Sequence, residues 1–569
     1  MLIVWAGCCA CLSPQTHRNV TYCKVREDPK LTTSDLTEND LEVLKRYPKA
    51  IYHLRSQLQK QKLLPIFGAG VGKPLGLPNW NELVSSLASN ESFSGLDWKA
   101  LASSQATLSQ ALYHHFRTVE LTKLRGGATN STRESALEDR QLAAKWRELV
   151  KECLYRHVKP VATHPYLAEF LPAIRKAPLT VNYNFDDTLQ ELLDANPTTT
   201  DGRGFETIWE PSVQYRHSSS VIYHPNGFLP RSLARGPSPS LVFLEESFAD
   251  QMLDVQRGHY STLLSHLFRY TSLLVGLSLA DPTLKHLLRQ SASANPGHVH
   301  YYVAYRSSPT SQETLEGASI QSNFHTYNLV TLFLSSPEIA SLAKLVSISG
   351  DRFSIATDEL GLPKSYTYYI SGAVGAGKTS ALSFFKSLNS FDEWLEPKPE
   401  TVRKAADQLT PKEKIELDDW IDVQMRRRNL LVGNAEGTIN VVDRSPIDPL
   451  AFQLTLQERT KRATQMLELY KNSRAGVTPG QVLVLEGNPE VMHTRIVDRH
   501  KGGNSEYIKA LQGRFSELCS SAPHGVRNLN CVDFDLGSVV RRISASIHLE
   551  EYEELDLDLF LAELTRAGT

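Results

Sequence analysis

The sequence lacks an excess of charge of either sign: 61 Lys and Arg stand against 63 Asp and Glu, leaving a net charge of -2 over 569 residues. That balance gives no broadly basic face, so no specific nucleic-acid partner is expected. Cysteine is scarce, at seven residues. The odd number and the wide spacing argue against a disulfide framework and fit a reducing compartment. Cys8 and Cys11 have C-x-x-C spacing with His17 nearby, but no second such pair follows. A loose tail over residues 1–35 is therefore expected rather than a metal knuckle. No run approaches the roughly 20 apolar residues of a membrane span. Met1–Leu12 is apolar but has no basic segment before it and no room for a secretory core with a cleavage site. The expectation is a cytoplasmic protein with no membrane association.

What is present is ordinary globular composition in a chain too long for one core, since single cores stop growing at roughly 250 to 300 residues. Residues 35–60 carry apolar positions at helical spacing interrupted near Pro48, which predicts two short helices. Leu63–Trp80 (LLPIFGAGVGKPLGLPNW) is an apolar run, a glycine turn and the start of a helix, the opening of a dinucleotide-binding unit. Short apolar runs then alternate with helical stretches as far as Ser347. A second strand, glycine loop and helix begins at Tyr366, followed by TINVVDRS, QVLVLEG and LNCVDFD. The fold class predicted is α/β, with two doubly wound parallel-sheet domains. Their expected bounds are 36–348 and 366–548, joined by a Gly- and Pro-containing linker at 349–365. The acidic tail 549–569 is expected as a solvated amphipathic helix.

Gly372-Ala-Val-Gly375-Ala-Gly377-Lys378-Thr379 matches G-x-x-x-x-G-K-[ST] after a run rich in β-formers. Glycines there let backbone N–H groups wrap phosphates, Lys378 places a cation at the β and γ phosphates, and the Thr379 hydroxyl can ligate magnesium. The loop predicts binding of ATP with Mg2+, and Lys378 at the helix start is expected to face solvent.

Around this loop, Pro363 to Gly537 resembles the deoxynucleoside kinase family in three stretches: WLEP (394–397), VVDRSPIDPLAF (441–452) and PEVMHTRIVDRH (489–500). The resemblance implies that Glu396 accepts the proton of a substrate hydroxyl. It implies that Asp443 and Arg444 serve magnesium and the phosphates or substrate, and that Arg495 and Arg499 stabilise the transferring phosphoryl group. Read as residues alone, Glu396 is equally a solvated loop residue, and Arg495 and Arg499 at i and i+4 equally a surface ion-pair face.

In the first domain, Gly68-Ala69-Gly70, NYNFDD (182–187) and GLSLADP (276–282) occur in the order in which the sirtuin-like fold has a glycine turn, an Asn-x-Asp motif and a late Gly-x-Ser strand. The resemblance covers Leu63 to Ser347. Sirtuin deacetylases hold zinc with paired C-x-x-C motifs, whereas this stretch contains only Cys153, so the closer likeness is to the zinc-free anti-phage branch that hydrolyses NAD. It implies NAD bound by Gly68, Ala69, Gly70, Asp186, Gly276 and Ser278, with Asn184 at the nicotinamide–ribose bond. Where that branch has His-Gly this chain has Asn226-Gly227, leaving His224, two residues earlier, either as a stand-in or as a core histidine.

The leading expectation is a two-domain nucleotide enzyme: an NAD hydrolase coupled to a kinase-like module for a nucleoside or nucleotide, suited to antiviral defence and open to homo-oligomer formation. One alternative is a kinase with an inert sirtuin-like scaffold. Another is a non-enzymatic, nucleotide-gated assembly switch.

Overall fold

The structure is a computed structural model that describes residues 36–94, 97–98, 104–125, 136–197, 204–210, 220–253, 259–279, 281–306, 313–403, 409–472, 477–497, 505–522, 524–532 and 534–567. The chain opens with helices α1 (Glu38–Arg46) and α2 (Pro48–Gln59). Thr37 caps α1 through a reciprocal box with Asp40, and Pro48, whose missing N–H costs nothing in the first turn, starts α2.

Two sheets follow. The first contains β1 (Leu63–Phe67), β2 (Thr180–Asn182), β3 (Phe205–Ile208), β4 (Ser220–Tyr223), β5 (Thr271–Val275), β6 (His300–Tyr305) and β7 (Leu329–Leu334) in the order β3-β4-β2-β1-β5-β6-β7. The second contains β8 (Tyr366–Gly372), β9 (Asn389–Phe391), β10 (Ile439–Asp443), β11 (Gln481–Glu486) and β12 (Val526–Asn530) in the order β12-β11-β8-β10-β9. Every described pairing is parallel. Parallel strands need both faces covered, which is why β1, β5, β8 and β10 are buried at every residue instead of alternating. The fold class is thus α/β with two doubly wound sheets. Strand order reverses between β1 and β5 in one sheet and between β8 and β11 in the other, and such reversals open the crevice in which ligands of this architecture sit.

Three helices, Trp80–Ala88, Gln105–Leu124 and Ala136–Tyr155, pack on one another as a module. Its small core of Leu83, Leu87, Leu112, Trp146 and Val150 also takes in Phe185, next to Asn184.

Two segments differ from the reading of the sequence. The stretch expected as a linker carries the helix Gly350–Glu359, with Phe353 and Ala356 buried and the Arg55 guanidinium 4.0 Å from the Phe353 ring centre. The acidic tail forms the helix Leu557–Ala567, but its apolar side is not solvated: Phe560 and Leu561 are fully buried, and the helix packs on Leu456–Asn472. Acidic composition set the outer face, and the apolar spacing within it set the inner one.

Candidate functional sites

At the reversal of the first sheet, the turn after β1 crosses the end of β5 at backbone contact. Gly68 N–H donates to Val275 O at 3.0 Å and Gly70 N–H to Gly276 O at 2.8 Å. Gly276 has a φ of +68°, and a Cβ on it would lie 2.5 Å from Val71 N. These glycines are needed for that crossing, and the amides of Gly68 and Gly70 are already engaged by β5. Ala69 begins a helix of only four residues, Ala69–Gly72. Ser278 follows the crossing, and its carbonyl accepts from Asp281 N–H at 3.3 Å as Asp281 caps Pro282–Ala294.

Asn184 lies just past β2, its amide nitrogen donating to Gly68 O at 3.1 Å, and its own N–H donates to Asn182 Oδ1 at 3.2 Å. The structure thus brings Asn184 to the glycine turn. It also adds Asn182, buried at the carboxyl end of β2 and in register with Phe67. Strand-end position is the signal that singles out Asn182, and the sequence reading passed over it. Asp186 is buried with Oδ1 accepting from Thr188 N–H at 3.0 Å, and burial raises its carboxyl above the ordinary range. Asp187 is held by the Tyr155 hydroxyl at 3.0 Å and by Arg235.

His224 is fully buried. Nδ1 lies 2.8 Å from Asn184 O and Nε2 lies 2.9 Å from the Gln190 amide. A carbonyl can only accept, so the proton sits on Nδ1 and Nε2 accepts from Gln190. Burial holds the ring's pKa down to about 4. Both ring nitrogens are thus engaged within the fold, one of them on the Asn184 backbone carbonyl. Asn226 turns its amide to Tyr183 O at 3.1 Å.

The second site lies where β8 ends. Gly372, Gly375 and Gly377 have φ of +128°, +87° and +90°, conformations that L side chains rarely adopt, so the loop curls in a way the glycines alone permit. A Cβ on Gly375 would also lie 2.7 Å from Met492 O. Lys378 does not face solvent as expected from its helix-start position. It is 6% exposed, and Nζ donates to Gly372 O at 2.8 Å and Ala373 O at 3.0 Å. Burial, aided by the nearby Arg444, lowers its pKa to about 8.

Thr379 Oγ1 donates to Asp443 Oδ2 at 2.7 Å across the β8–β10 pairing. Asp443 is 2% exposed, burial raises its carboxyl pKa, and its Oδ1 has no hydrogen-bond partner among the described residues. A buried carboxylate oxygen without a partner beside a hydroxyl is a hard-oxygen donor set, which fits magnesium.

Arg444 follows with a φ of +66°. Burial disfavours its charge, but Glu393, Asp448 and Asp443 outweigh that and raise its pKa. It pairs with Glu393 and reaches Asp448 at 3.3 Å. The buried Arg428 donates to Asp443 O at 2.7 Å and Arg444 O at 3.4 Å, bracing the strained backbone. Arg495, on Pro489–Val497, reaches Gly375 O at 3.4 Å. Arg499 lies outside the described residues.

Glu396 is placed elsewhere. Its oxygens are held by Gln424 at 2.9 Å and by Arg427, and its side chain is 48% exposed. Of the two carboxylates paired with Arg444, Glu393 lies two residues past β9. The Glu-Pro dipeptide drew the sequence reading to Glu396, whereas proximity to a strand's carboxyl end marks Glu393. The Cys8–Cys11 knuckle also falls outside the described residues, among which no group of three or more His, Cys, Asp or Glu is placed to hold a metal. No helix among them is long and apolar enough to cross a membrane.

Residues 178–329 match the family model of the SIR2-like domain, so this part of the chain is SIR2-like. The matched span includes Asn184, Asp186, His224, Gly276 and Ser278. No curated protein matches the chain. Among solved structures, deoxyadenosine kinase from M. mycoides, with products dCMP and a flexible dCDP bound, is similar at 16% identity, covering 32% of this chain and 98% of that one at a TM-score of 0.26. That score is too low to bear on the fold. The chain combines a SIR2-like domain with a second parallel sheet whose strand β8 runs into a glycine loop of the pattern G-x-x-x-x-G-K-[ST], which at a coarse level is a nucleotide-related enzyme.

Proposed function

We propose that the second unit is a magnesium- and ATP-dependent kinase of a nucleoside or nucleotide, and that the SIR2-like unit joined to it is an NAD site. The observation that carries the first half is the Thr379–Asp443 pair, with its unpartnered Oδ1, beside a loop of three left-handed glycines. Thr379 and Asp443 would hold magnesium, which would supply positive charge against the phosphates. Lys378 leaves the carbonyls of Gly372 and Ala373 for the phosphates, and loop N–H groups wrap them. Glu393 takes the proton of the substrate hydroxyl as its oxygen bonds to the γ phosphorus and the bond to the β-phosphate oxygen breaks, releasing ADP. Arg444 orients Glu393, and Arg495 neutralises charge from the other side of the loop.

A second activity, NAD hydrolysis, is favoured by the seating of Asn184 on the turn between β1 and β5 within the SIR2-like match. The nicotinamide–ribose bond breaks, its electrons staying on the ring nitrogen, and water adds at the ribose carbon and loses a proton to solvent, giving nicotinamide and ADP-ribose. This bond needs orientation more than covalent help, because nicotinamide leaves as a neutral amide from a cationic ring. His224 is engaged on both nitrogens, so Asn184 and Asn182 orient ribose and water without a proton-transferring imidazole. Destructive NAD cleavage joined to a nucleotide sensor suits antiviral defence, a reading drawn from architecture.

Product analysis tests both halves on the full chain. With ATP, Mg2+ and a panel of deoxynucleosides and their monophosphates, Glu393→Gln is expected to lower phosphoryl transfer by about 100-fold or more, the usual scale for a proton-accepting group, while Glu396→Gln retains it within a few-fold. With NAD, in the presence and absence of ATP and deoxynucleotides, Asn184→Ala is expected to abolish nicotinamide release. The kinase half is wrong if no member of the panel is phosphorylated. The hydrolase half is wrong if nicotinamide never appears or appears equally with Asn184→Ala.

A further inference from the structure

The helix Pro411–Gly433 has two sides with different surroundings. One side carries Gln424 and Arg428, which hold Glu396 and the carbonyls of Asp443 and Arg444. On the other, Ile415, Asp419, Val423, Arg426 and Leu430 are all exposed, Ile415 at 64%, Val423 at 37% and Leu430 at 48%. At 3.6 residues per turn these five fall within about 80° of arc and extend about 22 Å along the helix. Apolar side chains at helical spacing facing water mark a contact surface more than a solvated one.

The order along the stripe is apolar, acidic, apolar, basic, apolar. Turned end for end about the point between Asp422 and Val423, it maps Ile415 onto Leu430 and Asp419 onto Arg426. Two antiparallel copies would therefore set each apolar end against the other and each acid against a base, with the two Val423 side chains at the axis. A parallel pair in register would set Asp419 on Asp419 and Arg426 on Arg426. Self-complementarity of this kind defines an isologous, twofold contact that closes at two copies.

We propose that this stripe is a self-docking surface on which a second copy of the chain binds antiparallel. The helix that pairs outward is the same one that braces Asp443 and Arg444 inward, so association stiffens the phosphoryl-transfer side of the second site.

Sedimentation equilibrium of the full chain tests this. Wild type is expected to be dimeric at micromolar concentration. Asp419→Arg and Arg426→Asp should each weaken the dimer at least about tenfold, since each leaves like charges facing across the axis. Both sites are exposed, and far-ultraviolet dichroism and melting of the two variants should match wild type. Mixing the two variants should restore a heterodimer, because the arginine introduced in one then faces the aspartate introduced in the other, and the double variant should restore a homodimer. A monomer at about 100 µM, single variants that dimerise as tightly as wild type, or no recovery on mixing would each overturn the proposal.

Discussion

Lys378 shows most plainly how burial and charge compete in the phosphate loop. Its ammonium is wrapped by the carbonyls of Gly372 and Ala373, which accept its protons but do not replace water fully, and its pKa falls to about 8. Bound phosphate would restore a full counter-charge and raise that pKa, so binding ATP favours the protonated lysine. The sign follows: below about pH 8 the free protein already carries the charge and affinity is constant, whereas above it the lysine must regain a proton and affinity falls, by up to about tenfold per pH unit. Calorimetry of ATP binding from pH 6.5 to 9.5 should show that break for wild type and none for Lys378→Arg, whose guanidinium stays charged. A wild-type affinity that is flat up to pH 9.5 would contradict the buried, carbonyl-held lysine. His224 illustrates the opposite outcome of burial. Its neutral ring leaves no group there to titrate near pH 6.5.

At the scale of elements, α2 is the strut between the two sheets. Its residues from Ala50 to Leu58 are buried, polar ones included. Tyr52 donates to Pro363 O at 2.7 Å, Gln57 to Ser387 O at 2.5 Å, and Arg55 caps the carbonyls that end Ser336–Ser347. Around it four histidines are buried: His53 on α2, His298 and His300 at β6, and His548 at the end of Leu536–His548. The His53 ring lies 2.8 Å from the Tyr301 hydroxyl, and its centre is 5.7 Å from that of His548. Burial lowers His53 to about 3 and His298 to about 4, with His300 and His548 well below the ordinary value. The unfolded chain, with histidines near 6.5, takes up protons that the folded one refuses. Stability is therefore complete above about pH 6.5 and lost as the pH falls toward 4. Urea midpoints should hold from pH 7.5 to 6.5 and drop below that, with a shallower slope for His53→Gln. An equal slope in that variant would remove His53 from the account.

These elements were unequally legible in the sequence. Apolar runs followed by glycine turns identified β1, β5, β8 and the loops after them, because buried parallel strands read as continuous apolar stretches. The helix Gly350–Glu359 looks like a linker in sequence because its burial is supplied by Arg55 and its neighbours, contacts nearly 300 residues away in the chain. No motif marks Glu393 or Asn182, because the pairing with Arg444 and the register with Phe67 that set them apart arise only in the fold. The burial of Lys378 was missed because a free helix start is exposed, whereas this one is folded under its own loop.

At the scale of the whole molecule, one architecture occurs twice with different furnishing. Each sheet places a glycine crossing at its reversal of strand order. In the first, the amides of Gly68 and Gly70 are engaged by Val275 and Gly276, and Asn182 and Asn184 crowd the turn. In the second, Gly372, Gly375 and Gly377 curl at positive φ, and a lysine, a hydroxyl and an unpartnered carboxylate oxygen lie at the loop, a charged arrangement. The kinase reading stands on the magnesium site proposed at Asp443 and Thr379. Calorimetric titration of ATP into the full chain with Mg2+ and with EDTA, for wild type and for Asp443→Asn, tests it most directly. Mg2+ is expected to tighten binding to wild type at least about tenfold, the ordinary size of one well-made ionic contact, and Asp443→Asn to lose most of that gain while retaining the EDTA-state affinity. Equal affinities with Mg2+ and with EDTA for wild type, or an undiminished Mg2+ effect in Asp443→Asn, would contradict it.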